Sequence, residues 1–325
     1  MKLSGIIHTL IAAGSALVCG LSFAQAYPTK PIRLVMPYAA GQSTDISGRI
    51  VAKYLGDNLG QPVIVENRQG ADGVIGTTYV ANAAPDGYTL LVGTSGQFGA
   101  AVALYKDLPY DPVKDFTPIT RLFTVFYILT VGGDHAANTV ADLVAMAKKS
   151  PGKLTIANTA GIAYLTGELL KQAAGIDMLD IPQKTTAQAI ADLTTGRVDT
   201  MFISPAAAMP LIKAGKFKAL AITAPKRSVL TPGVPTLVES GYPGLVSTPS
   251  PALFAPARTP KDIIAKLHTE TVAVLKDPKV REVFLKNGTS ESELVGGTPE
   301  ELAAFVAAEL EMWGRVAKLG IRRRD

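Results

Sequence analysis

Apolar residues come in short blocks along this chain, and the spacing within the blocks alternates between two periods. Ile32 to Met36 is apolar except for Arg33, a block of the size of a buried strand. A Gly/Ser/Thr loop follows, and then Ile50, Val51 and Leu55 recur at helical spacing. Val63 to Val65 reads as a second strand. Val74 to Ala84 reads as a helix stopped by Pro85, Asp86 and Gly87, and Thr89 to Val92 as a third strand, with a helix opening near Ser95. The rhythm then repeats. Strands are predicted at Tyr127–Val131, Leu154–Ala157, Val198–Ile203 and Phe217–Thr223. Helices are predicted at Val140–Lys149, Ala163–Ala174 (closed by Gly175) and Thr186–Thr195 (closed by Gly196). Ser204 and Pro205 have the form of an N-cap followed by proline at the first helical position.

After a proline-rich stretch from Pro225 to Pro260 the pattern turns helical. Ile264, Leu267, Val274 and Leu275 share one face. Thr298 and Glu301 have capping-box spacing ahead of a stripe of Leu302, Phe305, Val306, Leu310 and Trp313. Trp313 on that stripe reads as a core anchor rather than a ligand platform.

Strand–helix alternation predicts an α/β fold with largely parallel sheets covered by helices. Two such units in sequence, followed by helices that must pack somewhere, predict two lobes: residues 27–125 with 248–325, and residues 126–247. Two crossings between lobes make a hinge, and the gap between them is a natural ligand site.

Residues 1–26 change the picture at the front. Lys2 is their only charge, Ile6 to Leu21 is apolar, and the segment ends Ala24, Gln25, Ala26. This reads as a secretory signal cleaved after Ala26, leaving a mature periplasmic chain; the alternative, an anchor helix, has a short run broken by glycine and serine. The single cysteine, Cys19, falls inside that segment. A mature chain without cysteine has no disulfide, thiol nucleophile or thiolate metal site. Val18 before Cys19 lacks the small side chain a lipid-modified cysteine needs. The net charge is +5, with basic residues scattered until Arg322, Arg323 and Arg324, so no stripe for nucleic acid is expected.

The residues nominate no catalytic group, no cofactor and no metal. Of three histidines, His8 lies in the leader, and His135 and His268 read as surface residues without metal-ligand spacing. Gly93 to Gly96 fails the nucleophile-elbow pattern, and Gly70, Gly73 and Gly76 match neither the dinucleotide nor the P-loop fingerprint.

Five loops do share one design, in which small polar residues and glycine link a strand to a helix. They run through Tyr38, Ala39, Ala40, Gly41, Ser43, Thr44 and Asp45; through Ala71, Asp72 and Gly73; through Thr94 and Ser95; through Asn158, Thr159 and Gly161; and through Lys184, Thr185 and Thr186. The first turn of a helix presents unpaired N–H groups and the positive end of its dipole, and small residues let an anion approach them. Parallel sheets bring strand carboxyl ends to one edge, so such turns can converge on a carboxylate. Asp45 serves either as a cap on its own helix or as an acceptor for a ligand hydroxyl or ammonium.

Taken together, several motifs resemble one family. They are the opening run Tyr27–Gly41 (YPTKPIRLVMPYAAG) with Thr44 and Asp45, Gly60–Arg68 (GQPVIVENR), Gly70–Gly76, Pro85–Leu90, Leu108–Pro112, Asp115–Pro118, Pro151–Lys153, Gly196–Asp199, Lys226–Ser228, Val234–Thr236 and Glu239–Gly241. In order and spacing the chain from Tyr27 onward resembles the receptors of tripartite tricarboxylate transporters, the Bug family. The resemblance implies a two-lobed periplasmic binding protein of type II, the Venus flytrap. It implies a monomeric, non-catalytic receptor that delivers a small carboxylate to membrane subunits of such a transporter. The family's ligand loops map onto Tyr38–Asp45, Ala71–Gly73, Thr94 with Ser95, and Asn158–Gly161, and Asp199 stands at a usual aspartate. Departures gather in the second lobe: Tyr164 replaces a common histidine, Gln183 and Thr185 stand in an altered loop, and Ser247–Pro251 lacks a tryptophan. In the first lobe Gln42 replaces a glycine. Two other readings keep the same cleft, a loaded receptor that docks on a membrane sensor and a secreted enzyme on this scaffold.

Overall fold

The computed structural model describes residues 27–158, 161–287 and 294–317. The signal segment and its cleavage point therefore lie outside the described residues, as does Thr159.

The chain builds two five-stranded sheets. The first lobe runs β1 (Ile32–Met36), α1 (Ser43–Leu59), β2 (Val63–Asn67), a 3-10 turn at Ala71–Gly73, α2 (Val74–Ala81), β3 (Thr89–Gly93), a π turn at Gly96–Ala100, α3 (Ala101–Leu104) and β4 (Phe116–Arg121). The second lobe adds β5 (Ile128–Gly132), α4 (Val140–Lys149), β6 (Thr155–Asn158), α5 (Gly161–Ala174), β7 (Leu179–Pro182), α6 (Thr186–Thr194), β8 (Thr200–Ile203), α7 (Pro205–Lys213) and β9 (Phe217–Ile222). The chain then returns as β10 (Ala252–Pro256), α8 (Lys261–Lys276), α9 (Pro278–Lys286) and α10 (Pro299–Ala317).

Strand order is β2-β1-β3-β10-β4 in one sheet and β7-β6-β8-β5-β9 in the other. Each sheet holds a single antiparallel strand, β10 or β5. In both cases it is the first strand after a crossing. The reason is directional. The parallel strands point their carboxyl ends at the gap between lobes, so a chain arriving across that gap must run the opposite way. This places the turns after β1, β2, β3, β6, β7 and β8 along two facing edges, where α/β sheets bind ligands.

The sequence pattern missed the strands β4, β7 and β10 and the helix α9. β4 carries an internal proline, Pro118, and β10 ends on Pro256; both features argue against strand when read locally. Neighbouring strands supply the pairing that local preference does not. Gly175 and Gly196 close α5 and the turn after α6 at φ 60° and 70°, as their positions suggest. Thr298 and Glu301 form the expected reciprocal cap, with bonds of 2.9 and 3.2 Å.

The two crossings are bonded to each other. Leu122 N–H donates to Pro251 O and Val125 N–H to Pro249 O, both at 2.8 Å. Tyr127 N–H donates to Thr223 Oγ1 at 2.9 Å, Thr223 N–H returns to Tyr127 O at 2.9 Å, and Thr223 Oγ1 donates to Ser247 O at 2.6 Å. Pro249 and Pro251 lack N–H groups, so the hinge uses them as acceptors only.

Each lobe has apolar clusters of its own, and a further cluster joins them. Ile162 and Leu165 of α5 pack with Ala100, Leu104, Trp313 and Val316 of the first lobe. Trp313, expected as a core anchor, is 1% exposed at this seam, and its indole N–H donates to Glu309 at 3.0 Å. Burying side chains of this size contributes about 1.5–3 kcal/mol each, so the lobes meet on a sizeable apolar contact at one end of the gap.

Candidate functional site

A cavity of about 800 Å³ lies between the lobes, within the usual ~300–1,000 Å³ of small-molecule sites. The first lobe contributes the loop after β1, the turn after β2 and the turn after β3. The second contributes the opening residues of α5, α6 and α7, and the hinge contributes Val125, Tyr127, Pro249 and Pro251.

The first-lobe wall is held by two polar knots. Asp45 stands in the first turn of α1, 2% exposed. Its carboxylate accepts from Gly41 N–H at 2.9 Å, Arg49 Nε at 3.0 Å and Asn67 Nδ2 at 2.7 Å. Burial alone would raise this carboxyl, but the bonds from Arg49, Asn67 and Gly41 outweigh it and hold it below the ordinary carboxylate range. Of the two roles open to Asp45, the structure gives the local one. It folds the loop after β1 onto α1 and ties that loop to β2 through Asn67.

The second knot is Gln97, 1% exposed. Its Oε1 accepts from Tyr38 Oη at 2.6 Å, Thr94 N–H at 3.0 Å and Thr94 Oγ1 at 3.1 Å. Its Nε2 donates to Asp72 O at 2.8 Å, and its own carbonyl accepts from Tyr110 Oη at 2.8 Å. One side chain thus joins the three first-lobe loops. Gly73 is part of the fit: at φ 94° a Cβ would sit 2.3 Å from Gln97 Nε2. Burial of the Tyr38 phenol pushes its pKa well up, against bonds to Thr94 and Gln97 that lower it, so it stays a neutral donor.

The second-lobe wall is built from helix starts with fewer ties. Thr185 Oγ1 accepts from Gln188 N–H at 3.1 Å and caps α6. Ser204 precedes Pro205 at the start of α7 in extended backbone, and its side chain makes no capping bond. Ile190, Phe202, Ile203 and Ile162 supply apolar surface. Among the described lining residues the charged ones are Asp72 and Lys184. Asp72 accepts from Tyr105 Oη at 2.9 Å, and Lys184 is exposed.

Of the residues singled out from sequence, Tyr38, Ala39, Ala40, Gly41, Thr44, Asp72, Gly73, Thr94 and Thr185 line the cavity. Ser43 and Gly161 belong to the first turns of α1 and α5. Asp45 and Ser95 are buried and lie off the lining, and Ala71 is exposed and lies off it too. Asn158 ends β6, and its carbonyl accepts from Gln183 N–H at 2.8 Å. Asp199 is displaced furthest. It precedes β8 at the end of the sheet away from the gap, where it accepts from Thr155 N–H at 2.7 Å and Thr155 Oγ1 at 2.8 Å. Its neighbour there is His135, 3.8 Å away. His135 is correspondingly no surface residue, with a side chain 13% exposed.

Sequence reasoning passed over Gln97, Tyr127 and Ser204. Ser204 carried a usable signal, the same strand–turn–helix design as the loops chosen. Gln97 and Tyr127 carried none, because their placement depends on partners distant in sequence.

Two α/β lobes, two crossings, and a gap edged by helix starts define a periplasmic-type solute-binding protein. The model of the tripartite tricarboxylate transporter family receptor, TctC, matches residues 48–321, and the chain belongs to that family. BugT of Bordetella pertussis is 35% identical over 320 residues, covering 98% of this chain and 97% of BugT. Among solved structures, Rpa4515 of R. palustris with adipate has 33% identity and a TM-score of 0.83, covering 90% of this chain and 97% of that one. MatC from Rhodopseudomonas palustris with bound malate has 33% identity and a TM-score of 0.81, covering 90% and 100%. The fold and family expected from sequence are those found. Members are periplasmic receptors that work with the membrane subunits of tripartite transporters.

Proposed function

We propose that this protein is exported, loses residues 1–26, and captures a small organic carboxylate in the inter-lobe cleft. It then delivers that ligand, as a monomer and without reaction, to the membrane subunits of a tripartite tricarboxylate transporter. The observation that carries this is the cleft itself: first turns of α1, α5, α6 and α7 edge one cavity from both lobes. Their unpaired N–H groups and dipoles favour an anion. The adipate and malate bound by two family neighbours fit the same chemistry.

Lobe boundaries near residues 125 and 248 are supported by the membership of β4 and β10 in one sheet and β5 and β9 in the other. The lining supports binding without catalysis, since its polar groups are amides, hydroxyls, one lysine and one carboxylate already bonded to a tyrosine.

The test is thermal unfolding of the mature protein with a panel of malate, adipate, citrate, glutamate and benzoate. A binding acid at 100 times its Kd adds about 2.7 kcal/mol, which raises Tm by several degrees. A panel that leaves Tm unchanged throughout overturns the proposal.

A further inference from the structure

Tyr127 sits where the chain has just crossed from the first lobe into β5, and it lines the cavity. Its backbone is fixed from both sides by Thr223 of the other crossing, at 2.9 Å each way. Its ring is packed at the meeting of the second-lobe core and the inter-lobe seam. The ring is thus held in place before any ligand arrives, and little rotamer freedom remains to be lost on binding.

The hydroxyl is different. Among the described residues no protein group hydrogen-bonds to it. The hydroxyls of Tyr38 and Thr94, by contrast, are engaged, bonded to each other at 2.5 Å and both to Gln97. Two tyrosines thus line the cleft, Tyr38 with its hydroxyl already bonded and Tyr127 with its hydroxyl unbonded among the described residues. Burial pushes the Tyr127 phenol up to about 12, so at neutral pH it is a proton donor and not a phenolate.

We infer that the Tyr127 hydroxyl is a ligand-binding group, donating from the hinge to an oxygen of the bound carboxylate. The inference rests on the cleft reading given under Proposed function. It adds a residue that selects for ligands with an acceptor at the hinge end of the cavity. It also ties occupancy of the cleft to the strand pair about which the lobes would move.

The experiment is titration calorimetry on the mature protein and its Tyr127→Phe variant, with the same five acids. The variant keeps the ring and loses one oxygen. The expected result is that the acid bound by the parent binds about tenfold or more weakly to the variant, the size of a lost bond to a charged acceptor. The ligand-free Tm should move by no more than about 2 °C. Affinity unchanged within about twofold overturns the role of Tyr127 and leaves the cleft reading standing. Failure of every acid to bind the parent overturns both. A crystal structure of the parent with its bound acid gives an answer free of any folding defect in the variant. A ligand oxygen within about 3.2 Å of Tyr127 Oη is expected, and a ligand that leaves this oxygen unbonded overturns the inference.

Discussion

The two walls of the cleft use the same helix starts but support them differently. In the first lobe, three loops from three strands are cross-tied through Gln97 and Asp45, whose side chains are 1% and 2% exposed. In the second, the start of α6 depends on Thr185 bonding within its own turn, and the start of α7 has no side-chain cap. A wall tied through buried side chains keeps its donors aimed before a ligand arrives, so less ordering accompanies binding. A wall of separately capped helices can be altered one loop at a time. The difference teaches that anchoring belongs to the first lobe and adaptation to the second.

The sharpest way to break this comparison is to remove the larger knot. Gln97→Ala leaves Thr94 N–H without its partner in a buried place and removes the bonds that Gln97 makes to Tyr38 Oη and Asp72 O. Each stranded buried group costs about 1–3 kcal/mol, so a total loss of about 2–4 kcal/mol is expected in urea unfolding. Binding of the acid found in the thermal screen should fall by well over tenfold. A variant that binds normally would show that the loops hold their shape without this hub.

Asp45→Asn cuts the second knot and adds a pH signature. The Asp45 carboxyl is more acidic in the folded protein than in the unfolded chain, because the bonds from Arg49, Asn67 and Gly41 outweigh its burial. A carboxyl of this kind contributes stability that is fully present above the unfolded pKa and lost as pH falls through the folded one. The substitution should therefore cost about 1.5–3 kcal/mol at pH 7. That cost should shrink below about pH 4, until parent and variant unfold alike. Urea midpoints between neutral and acid pH check this. A cost that does not vary with pH would mean that the ionised carboxylate is not what holds the loop.

Much of this arrangement was legible in the sequence, and the portion that was not has a common cause. Short apolar blocks and glycine stops located seven of the ten strands, because a buried strand and a left-handed helix end each leave a local mark. β4 and β10 carry prolines and gain their pairing from segments more than a hundred residues away. The β1, β2, β3 and α6 loops were readable for the same local reason. Their contacts were not, since nothing near Gln97 in sequence indicates that Tyr38 and Asp72 will meet it. Asp199 shows the converse. A residue recognised by its motif proved to brace Thr155 at the far end of β6, and its carboxylate serves the strand pair and not the cleft.

Thr185→Ala tests the weaker side of the comparison and should have the smallest effect. It removes one cap, worth about 1 kcal/mol, whose bond stays within its own turn. Urea unfolding should register that amount. The bound acid should lose no more than about threefold in affinity, because the α6 amides stay in place when the cap hydroxyl goes. The outcome that matters most is the opposite one. If Thr185→Ala abolishes binding at little cost in stability while Gln97→Ala does not, the threonine hydroxyl is itself a ligand contact. The anchor then lies in the second lobe, and the buried knots of the first are scaffolding for the fold alone. The stability and affinity of these two variants, measured on the same acid, separate the cases, because a cap acts on both quantities and a contact acts on affinity.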